Sequence, residues 1–375
     1  MIKLLFVIPE YSHGGTNKSL ENLLSLIDKT KYQISVYCLY EDGGPYYKQI
    51  FSPYILKKSW LYYWLHDNVW TRKVMGGYNK LTKRDNFSFL YKREARVLQK
   101  RYNFDVVVAY QEGKTTEFVS FIDQCKNKVA WYHCPYIICK TKEAQQRALS
   151  LYGQFDKTVC VSRCFAEMMR EILPTLSEKI IWIYNTVNVP LIRQMAANEI
   201  RLFDEQLFNI VSIGRLTSQK QFELIPQMAS FVKSSRPFRW HIIGAGSYEQ
   251  LIREKIAEFN MQDKVILMGA KDNPYPYIFH ADLVVCTSDS ESFSYVLAEA
   301  KCLHTPVLSN DFPVAYEVID DSCGWIANLK EMPQVLTRII NNVDGEYDRK
   351  KASIMKYEYS NEEILQRIEE LFDKK

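Results

Sequence analysis

Short apolar runs recur along the chain, each set apart from the next by a longer amphipathic stretch. In the first half the runs Lys3–Pro9, Ile34–Tyr40, Asp105–Tyr110, Lys128–Cys134, Lys157–Ser162 and Lys179–Tyr184 are nearly continuous in apolar side chains. A strand without polar alternation is covered on both faces, so these runs predict a parallel sheet with crossover helices. The pattern lapses over residues 189–206 and then restarts. Phe208–Gly214, Arg239–Gly244, Val265–Gly269, Leu283–Thr287 and Pro306–Ser309 read as a second set of strands, with Gln221–Lys233 and Tyr248–Asn260 among the helical stretches between them. The tail "NEEILQRIEELFDKK" keeps helical periodicity behind a candidate cap. Two successive βα arrays predict an α/β protein of two Rossmann-like doubly wound domains facing across a cleft. The expected division is an N-terminal domain at 1–188, a linker at 189–206, a second domain at 207–355 and a C-terminal helix at 356–375 packing back on the first domain.

Length and composition agree with that picture. A chain of 375 residues exceeds a comfortable single domain. Hydrophobic residues at 47% and charged residues at 25% are ordinary for a soluble globular protein. No apolar run approaches about 18 residues, so no membrane-spanning helix is expected. The opening "MIKLLFVIPEYSHGG" has an apolar core of only about seven residues with no small-residue cleavage site, and reads as a first buried strand. Nine scattered cysteines without framework spacing favour a reducing cytoplasm. His133, Cys134, Cys139, Cys160 and Cys164 form a group, but the spacings are poor for zinc, and buried free thiols are expected there rather than a metal.

The net charge of +4 conceals an asymmetry. Residues 57–101 hold twelve Lys and Arg against three Asp and Glu, a balance of +9, so the remainder carries −5. Trp60, Tyr62, Tyr63, Trp64, Trp70, Tyr78, Phe87, Phe89 and Tyr91 lie in the same segment. Basic side chains interleaved with aromatics suit an anionic membrane surface, and equally a solvated helical face that packs its rings inward. Nucleic acid is not expected, because no binding motif accompanies the charge.

Candidate chemistry gathers where strands feed helices. "PEYSHGGTNKSLENLL" leaves the first strand through Gly14-Gly15, and the helix beyond offers free N–H groups and a positive dipole to a phosphate. "VSIGRLTSQKQFELI" turns at Gly214 and then presents Arg215 and Lys220, two cations suited to a diphosphate. "HIIGAGSYEQL" contains Gly244-x-Gly246, half of a dinucleotide fingerprint, with Glu249 where the third glycine belongs. "SDSESFSYVLAEA" places Glu291 in a turn and Glu299 inside the following helix, with Ser292 or Ser294 available as a cap. At ~1.5 Å rise per residue the two carboxylates stand roughly 8–12 Å apart, the span from a hexose to a ribose across a diphosphate. An ionised carboxylate only accepts hydrogen bonds, so each can hold a pair of neighbouring sugar hydroxyls.

With these segments in view, "ESFSYVLAE" resembles the E-x7-E signature of retaining GT-B glycosyltransferases, specifically glycosyltransferase family 4. "SIGRLTSQK", "HIIGAGSYEQL" and "TPVLSND" are similar to the family's surrounding segments in order and spacing, while "GGTNKSL" and "VCVS" resemble it loosely in the first half. Two departures stand out: Ser292 and Ser294 where many members have glycines, and Asn185-Thr186-Val187-Asn188 where they often read N-G-V-D. The resemblance implies a GT-B fold and a retaining, metal-independent hexosyltransferase without a cofactor, using a UDP- or GDP-sugar donor. It implies that Glu299 holds the ribose and Glu291 the donor hexose, that Arg215 and Lys220 clamp the diphosphate, and that Gly15 offers its N–H to the distal phosphate. His133, in "AWYHCP", matches a histidine that faces the donor sugar. Gly14, Gly214, Gly246, Ser292, Phe293 and Ser294 complete the implied donor site. The N-terminal domain would take a lipid-linked or oligosaccharide acceptor, with Glu112 a candidate to meet its hydroxyl. The implied setting is bacterial capsule, exopolysaccharide or lipopolysaccharide synthesis in the cytoplasm or peripherally on the inner face of the cell membrane. Two other readings stay open: an NAD-dependent oxidoreductase, and a non-catalytic membrane-attached protein that binds nucleotide sugars.

Overall fold

The computed structural model describes residues 1–11, 14–40, 44–64, 87–134, 141–197 and 203–373. These form two compact units, Met1–Thr186 with Asn361–Lys375, and Val187–Ser360. Each is built on one parallel six-stranded sheet.

In the first unit the strands are β1 (Ile2–Ile8), β2 (Tyr32–Cys38), β3 (Val106–Ala109), β4 (Asn127–Tyr132), β5 (Lys157–Cys160) and β6 (Ile180–Trp182), in the order β2-β1-β3-β4-β5-β6. Leu4–Val7 of β1 pair in register with Val106–Ala109 of β3, all of them buried. The helix α1 (Gly15–Leu26) follows β1. It is tied down by a buried polar bridge: Ser19 Oγ donates to Asn185 Oδ1 at 2.6 Å and shares a 2.7 Å hydrogen bond with the Tyr110 hydroxyl. Such a bridge is stable in the core because each polar group finds its partner.

Of the basic aromatic segment, residues 65–86 lie outside the described residues. The rest divides its rings between two environments. The helix α2 (Phe87–Arg101) turns Tyr91 inward against Tyr62 and Phe118, and Glu94, itself buried, accepts from Tyr37 Oη at 2.9 Å and Ser59 N at 2.8 Å. Trp60 and Phe89 stay 75% and 70% exposed, Tyr63 and Trp64 are exposed as well, and Lys92, Arg93, Arg96, Lys100 and Arg101 stand in solvent. Some rings of this segment therefore pack inward, as a folded helical face would have them, while a basic face with exposed aromatics remains.

The second unit opens with α3 (Val189–Ala196), where a linker was expected. Asn188 caps it through Leu191 N at 3.2 Å, Pro190 sits in its first turn, and Arg193 reaches the Cys302 carbonyl at 3.1 Å. A proline early in a helix costs nothing, which the lapse in strand pattern hid. The sheet contains β7 (Phe208–Ile213), β8 (Phe238–Ile243), β9 (Val265–Leu267), β10 (Leu283–Cys286), β11 (Val307–Ser309) and β12 (Gly324–Ile326), in the order β12-β11-β10-β7-β8-β9. β12 is an addition to the five expected strands; three residues at a sheet edge leave too short a run to read. The stretch Gln221–Lys233 is also shorter than a single helix: Gln221 takes a left-handed conformation, and the α-helix occupies only Ile225–Phe231. Trp240, Ile242, Leu283, Val285 and Leu308 form the core beneath the sheet's helices. Trp240 Nε1 donates to Ser212 Oγ at 3.0 Å and Ser212 donates to the Val285 carbonyl at 2.7 Å, so one satisfied polar chain crosses β8, β7 and β10.

Two later helices matter below. α4 (Tyr295–Cys302) follows β10, and α5 (Glu362–Phe372) belongs to the first unit, where the Phe372 ring meets Phe6 edge-on at 6.1 Å and Asn127 Nδ2 donates to the Leu371 carbonyl at 2.6 Å.

Candidate active site

In a doubly wound sheet the crevice opens where neighbouring strands send their connections in opposite directions, at the strands' carboxyl ends. In the second unit that point lies between β7 and β10, since β8 and β9 extend one way and β11 and β12 the other. The loop after β7 carries Gly214, Arg215 and Lys220; the loop after β10 carries Glu291, and α4 beyond it carries Glu299. Four charged residues picked out separately along the chain thus follow the two strands that flank one crevice.

The two loops are stitched together. Thr287 Oγ1 donates to the Lys220 carbonyl at 2.6 Å, Asp289 N to the Gln219 carbonyl at 3.0 Å, and Gln219 Nε2 to the Ser290 carbonyl at 2.8 Å. Across this seam Lys220 Nζ is bonded to Glu291 Oε1, which also accepts from Ser288 Oγ at 2.8 Å. Asn310 Nδ2, after β11, holds the Ser288 carbonyl at 2.9 Å. Burial pulls the Lys220 ammonium down, but Glu291 and the neighbouring Cys286 together outweigh it, and the pKa stands above the ordinary lysine value. Lys220 is therefore a full cation at neutral pH. Arg215 is exposed and makes no hydrogen bond or ion pair among the described residues. Glu299 is 2% exposed and accepts from the Tyr275 hydroxyl at 3.3 Å.

The glycines act through packing. A Cβ on Gly246 would lie 2.3 Å from the Leu216 carbonyl oxygen, and Leu216 N bonds Ala245 O at 3.0 Å while Tyr248 N returns to Leu216 O at 3.0 Å. Gly244-x-Gly246 is thus the bed on which the Arg215 loop rests. Gly214 clears the way for Lys220, whose Cε would stand 3.0 Å from a Cβ there.

Phe293 is buried at the turn into α4, with its ring edge-on to Tyr295 at 5.0 Å, and Ser292 beside it is half-buried. Ser294 corrects an expectation. It occupies the cap position of α4 in a left-handed conformation, φ 59°, with no capping bond, and its buried hydroxyl has no partner among the described residues. A left-handed residue turns its side chain away from the helix N–H groups, and the conformation costs about 1 kcal/mol or more for a residue other than glycine. Ser294→Gly is expected to stabilise the second unit by about 1 kcal/mol, raising its unfolding midpoint by about 2–4 °C in a thermal melt. A lowered midpoint would refute that account.

In the first unit the strand order reverses between β1 and β3. Gly14 and Gly15 follow β1; Gly14 is extended, φ 177°, and starts α1 without a side-chain cap. Glu112 follows β3, and its carboxylate accepts from His133 N at 2.9 Å and from the Cys134 backbone. Burial pushes that carboxyl above its ordinary range, and these N–H groups offset part of the shift. Glu112 thereby braces the end of β4. His133 is buried against Tyr110, its ring centroid 5.3 Å from the tyrosine's, and its Nε2 has no hydrogen-bond partner among the described residues. Burial lowers its pKa to about 3, so it stays neutral through the physiological range.

What the sequence left unassigned is the support: Ser288, Asn310, Gln219, Thr287 and Tyr275. "SDSES" after an apolar run and the asparagine of "TPVLSND" were the available signals.

Among solved structures, Anabaena HepE in complex with UDP and glucose superposes with a TM-score of 0.74 over 99% of both chains at 16% identity. The chain has the GT-B fold. Within this GT-B chain, residues 196–358 match the family model described as Glycosyl transferases group 1, which takes in all four charged residues of the second unit's site. Similarity also extends to the N-acetylgalactosamine-N,N'-diacetylbacillosaminyl-diphospho-undecaprenol 4-alpha-N-acetylgalactosaminyltransferase of Campylobacter jejuni, 30% identical over 129 residues, 34% of each chain. The O-antigen chain mannosyltransferase RfbU of Salmonella typhimurium is 26% identical over 191 residues, 46% of this chain and 50% of that protein. The matched parts thus span a third to a half of these two relatives. No described helix is long and apolar enough to cross a membrane.

Proposed function

We propose that the protein is a retaining glycosyltransferase that moves a sugar from a nucleoside-diphosphate sugar, UDP- or GDP-linked, to a glycan acceptor. The observation that carries this reading is the pairing of Arg215 and Lys220 after β7 with Glu291 and Glu299 after β10, at the second sheet's switch point. The reaction breaks the bond from sugar C1 to a phosphate oxygen and forms the bond from C1 to the acceptor oxygen. Negative charge grows on the leaving diphosphate while the sugar becomes oxocarbenium-like. Arg215 and Lys220 offset that growing charge, and preorganised charge of this kind supplies the largest part of catalysis in such displacements. In the front-face route the acceptor attacks from the leaving-group side, and its proton passes to the departing phosphate oxygen, so no protein nucleophile is needed. Glu291 and Glu299 accept hydrogen bonds from the sugar and ribose hydroxyls. We assign the neutral His133 to the donor sugar and the start of α1 at Gly15 to the distal phosphate. Because protein cations serve the leaving group, transfer is expected to persist in EDTA; a strict requirement for manganese or magnesium would overturn this part.

The deciding experiment titrates UDP-, GDP- and NAD-type ligands and then follows transfer from the best donor by NMR. Binding of a nucleotide sugar and a product of unchanged anomeric configuration is expected. Tight NAD binding without nucleotide-sugar binding would favour an oxidoreductase instead.

For the acceptor we propose a lipid-linked glycan in surface polysaccharide synthesis. Support comes from the undecaprenol-linked and O-antigen substrates in the two relatives' names and from the basic face of α2 with exposed Phe89 and Trp60. Basic residues near an anionic surface contribute about 1 kcal/mol each, and exposed rings settle at the headgroups. Cosedimentation with phosphatidylglycerol vesicles at low salt, falling as salt rises, is the expected result. No binding at low salt would remove the membrane element.

A further inference from the structure

Lys220 Nζ is bonded to Glu291, and the two side chains are only 18% and 14% exposed. The pair is fixed from several sides: Thr287 holds the lysine's own carbonyl, Gly214 leaves room for its stem, and Ser288 donates to the same Glu291 oxygen. Arg215 nearby has no ion-pair partner among the described residues. One cation of the proposed clamp is thus open and the other is already occupied by an acid of the same unit.

We propose that Glu291 is an internal counter-ion for Lys220, which a bound diphosphate must draw away, so that the site discriminates against the bare nucleoside diphosphate. When a sugar is attached, its hydroxyls give Glu291 replacement hydrogen bonds as Lys220 turns to the phosphates. When the sugar has left, Glu291 loses those partners and competes again for Lys220, which loosens the spent diphosphate. Glu291 then does two things with one carboxylate: it reads the donor sugar and promotes product release. Two half-buried groups whose hydrogen bonds are charge-assisted couple strongly enough to matter here.

This inference rests on the donor-site reading above, and its test separates the two. Dissociation constants for UDP, GDP and inorganic pyrophosphate are measured by calorimetry for the unaltered protein, Glu291→Gln, Lys220→Met and the double variant, with thermal melts confirming that each is folded. Glu291→Gln keeps the side chain's shape and removes its charge. It is expected to bind the preferred nucleoside diphosphate roughly 5–20-fold more tightly than the unaltered protein. In the Lys220→Met background the same change should have little effect, since the interaction is pairwise. Unchanged or weaker diphosphate binding by Glu291→Gln overturns the counter-ion role and leaves the donor site standing. A gain that persists in the Lys220→Met background also overturns it, because the gain would then be general electrostatics. Absence of diphosphate binding by the unaltered protein sinks the donor site and this inference together.

Discussion

Lys220→Ala and Arg215→Ala are each expected to lower turnover by about 10²–10³, the scale of removing one preorganised stabiliser of transition-state charge. The two residues follow the same strand and sense each other, Arg215 tending to lower the Lys220 pKa, so the double variant should lose less than the product of the single losses. The kinetic signatures should differ as well. Arg215 is exposed and makes no ion pair among the described residues, so its loss removes an interaction made only with ligand. Removing Lys220 also strips Glu291 of its cation, leaving the carboxylate with Ser288 Oγ at 2.8 Å. That change should therefore disturb donor-sugar recognition together with the rate. Single-turnover rates and donor affinities for both variants check this, and full activity in the double variant would end the proposed mechanism.

Gly244→Ala is expected to have the largest effect on stability. Gly244 has φ 152°, and a Cβ there would lie 1.8 Å from the Gly214 carbonyl oxygen. Neither atom belongs to a flexible side chain, so the loops after β7 and β8 would have to separate. The change is expected to cost about 3 kcal/mol or more, which for a unit of this size lowers the unfolding midpoint by about 6–12 °C. Any folded fraction should also bind donor poorly, because Arg215 follows Gly214 directly. An unchanged melting transition would refute this packing role for Gly244.

Much of the architecture was legible in the chain. Apolar runs such as Val106–Ala109 and Leu283–Cys286 lack alternation because both faces are covered, and that property is local. The candidate residues were legible for a related reason: charge and glycine clustered where strands end, in "IGRLTSQK" and "SDSES". Other features were not legible. The helix α3 begins with Val-Pro-Leu in a stretch that looked like a linker, and β12 is three residues long. Ser294 reads as a helix cap by type, yet its left-handed backbone turns the hydroxyl away from that use.

The sequence by itself determined two parallel sheets, the strand ends where charge and glycine gather and the four charged residues of the proposed donor site, because apolar periodicity and residue type act over a few neighbours. Only the tertiary structure decided the strand order that sets β7 beside β10, the bond between Lys220 and Glu291 across 71 residues of chain, and the use of Gly244 and Gly246 as a packing bed for the Arg215 loop. Those features depend on which distant segments meet. Hydrophobic burial alone fits several strand orders, and only the assembled sheet selects the one in which the loops are held together.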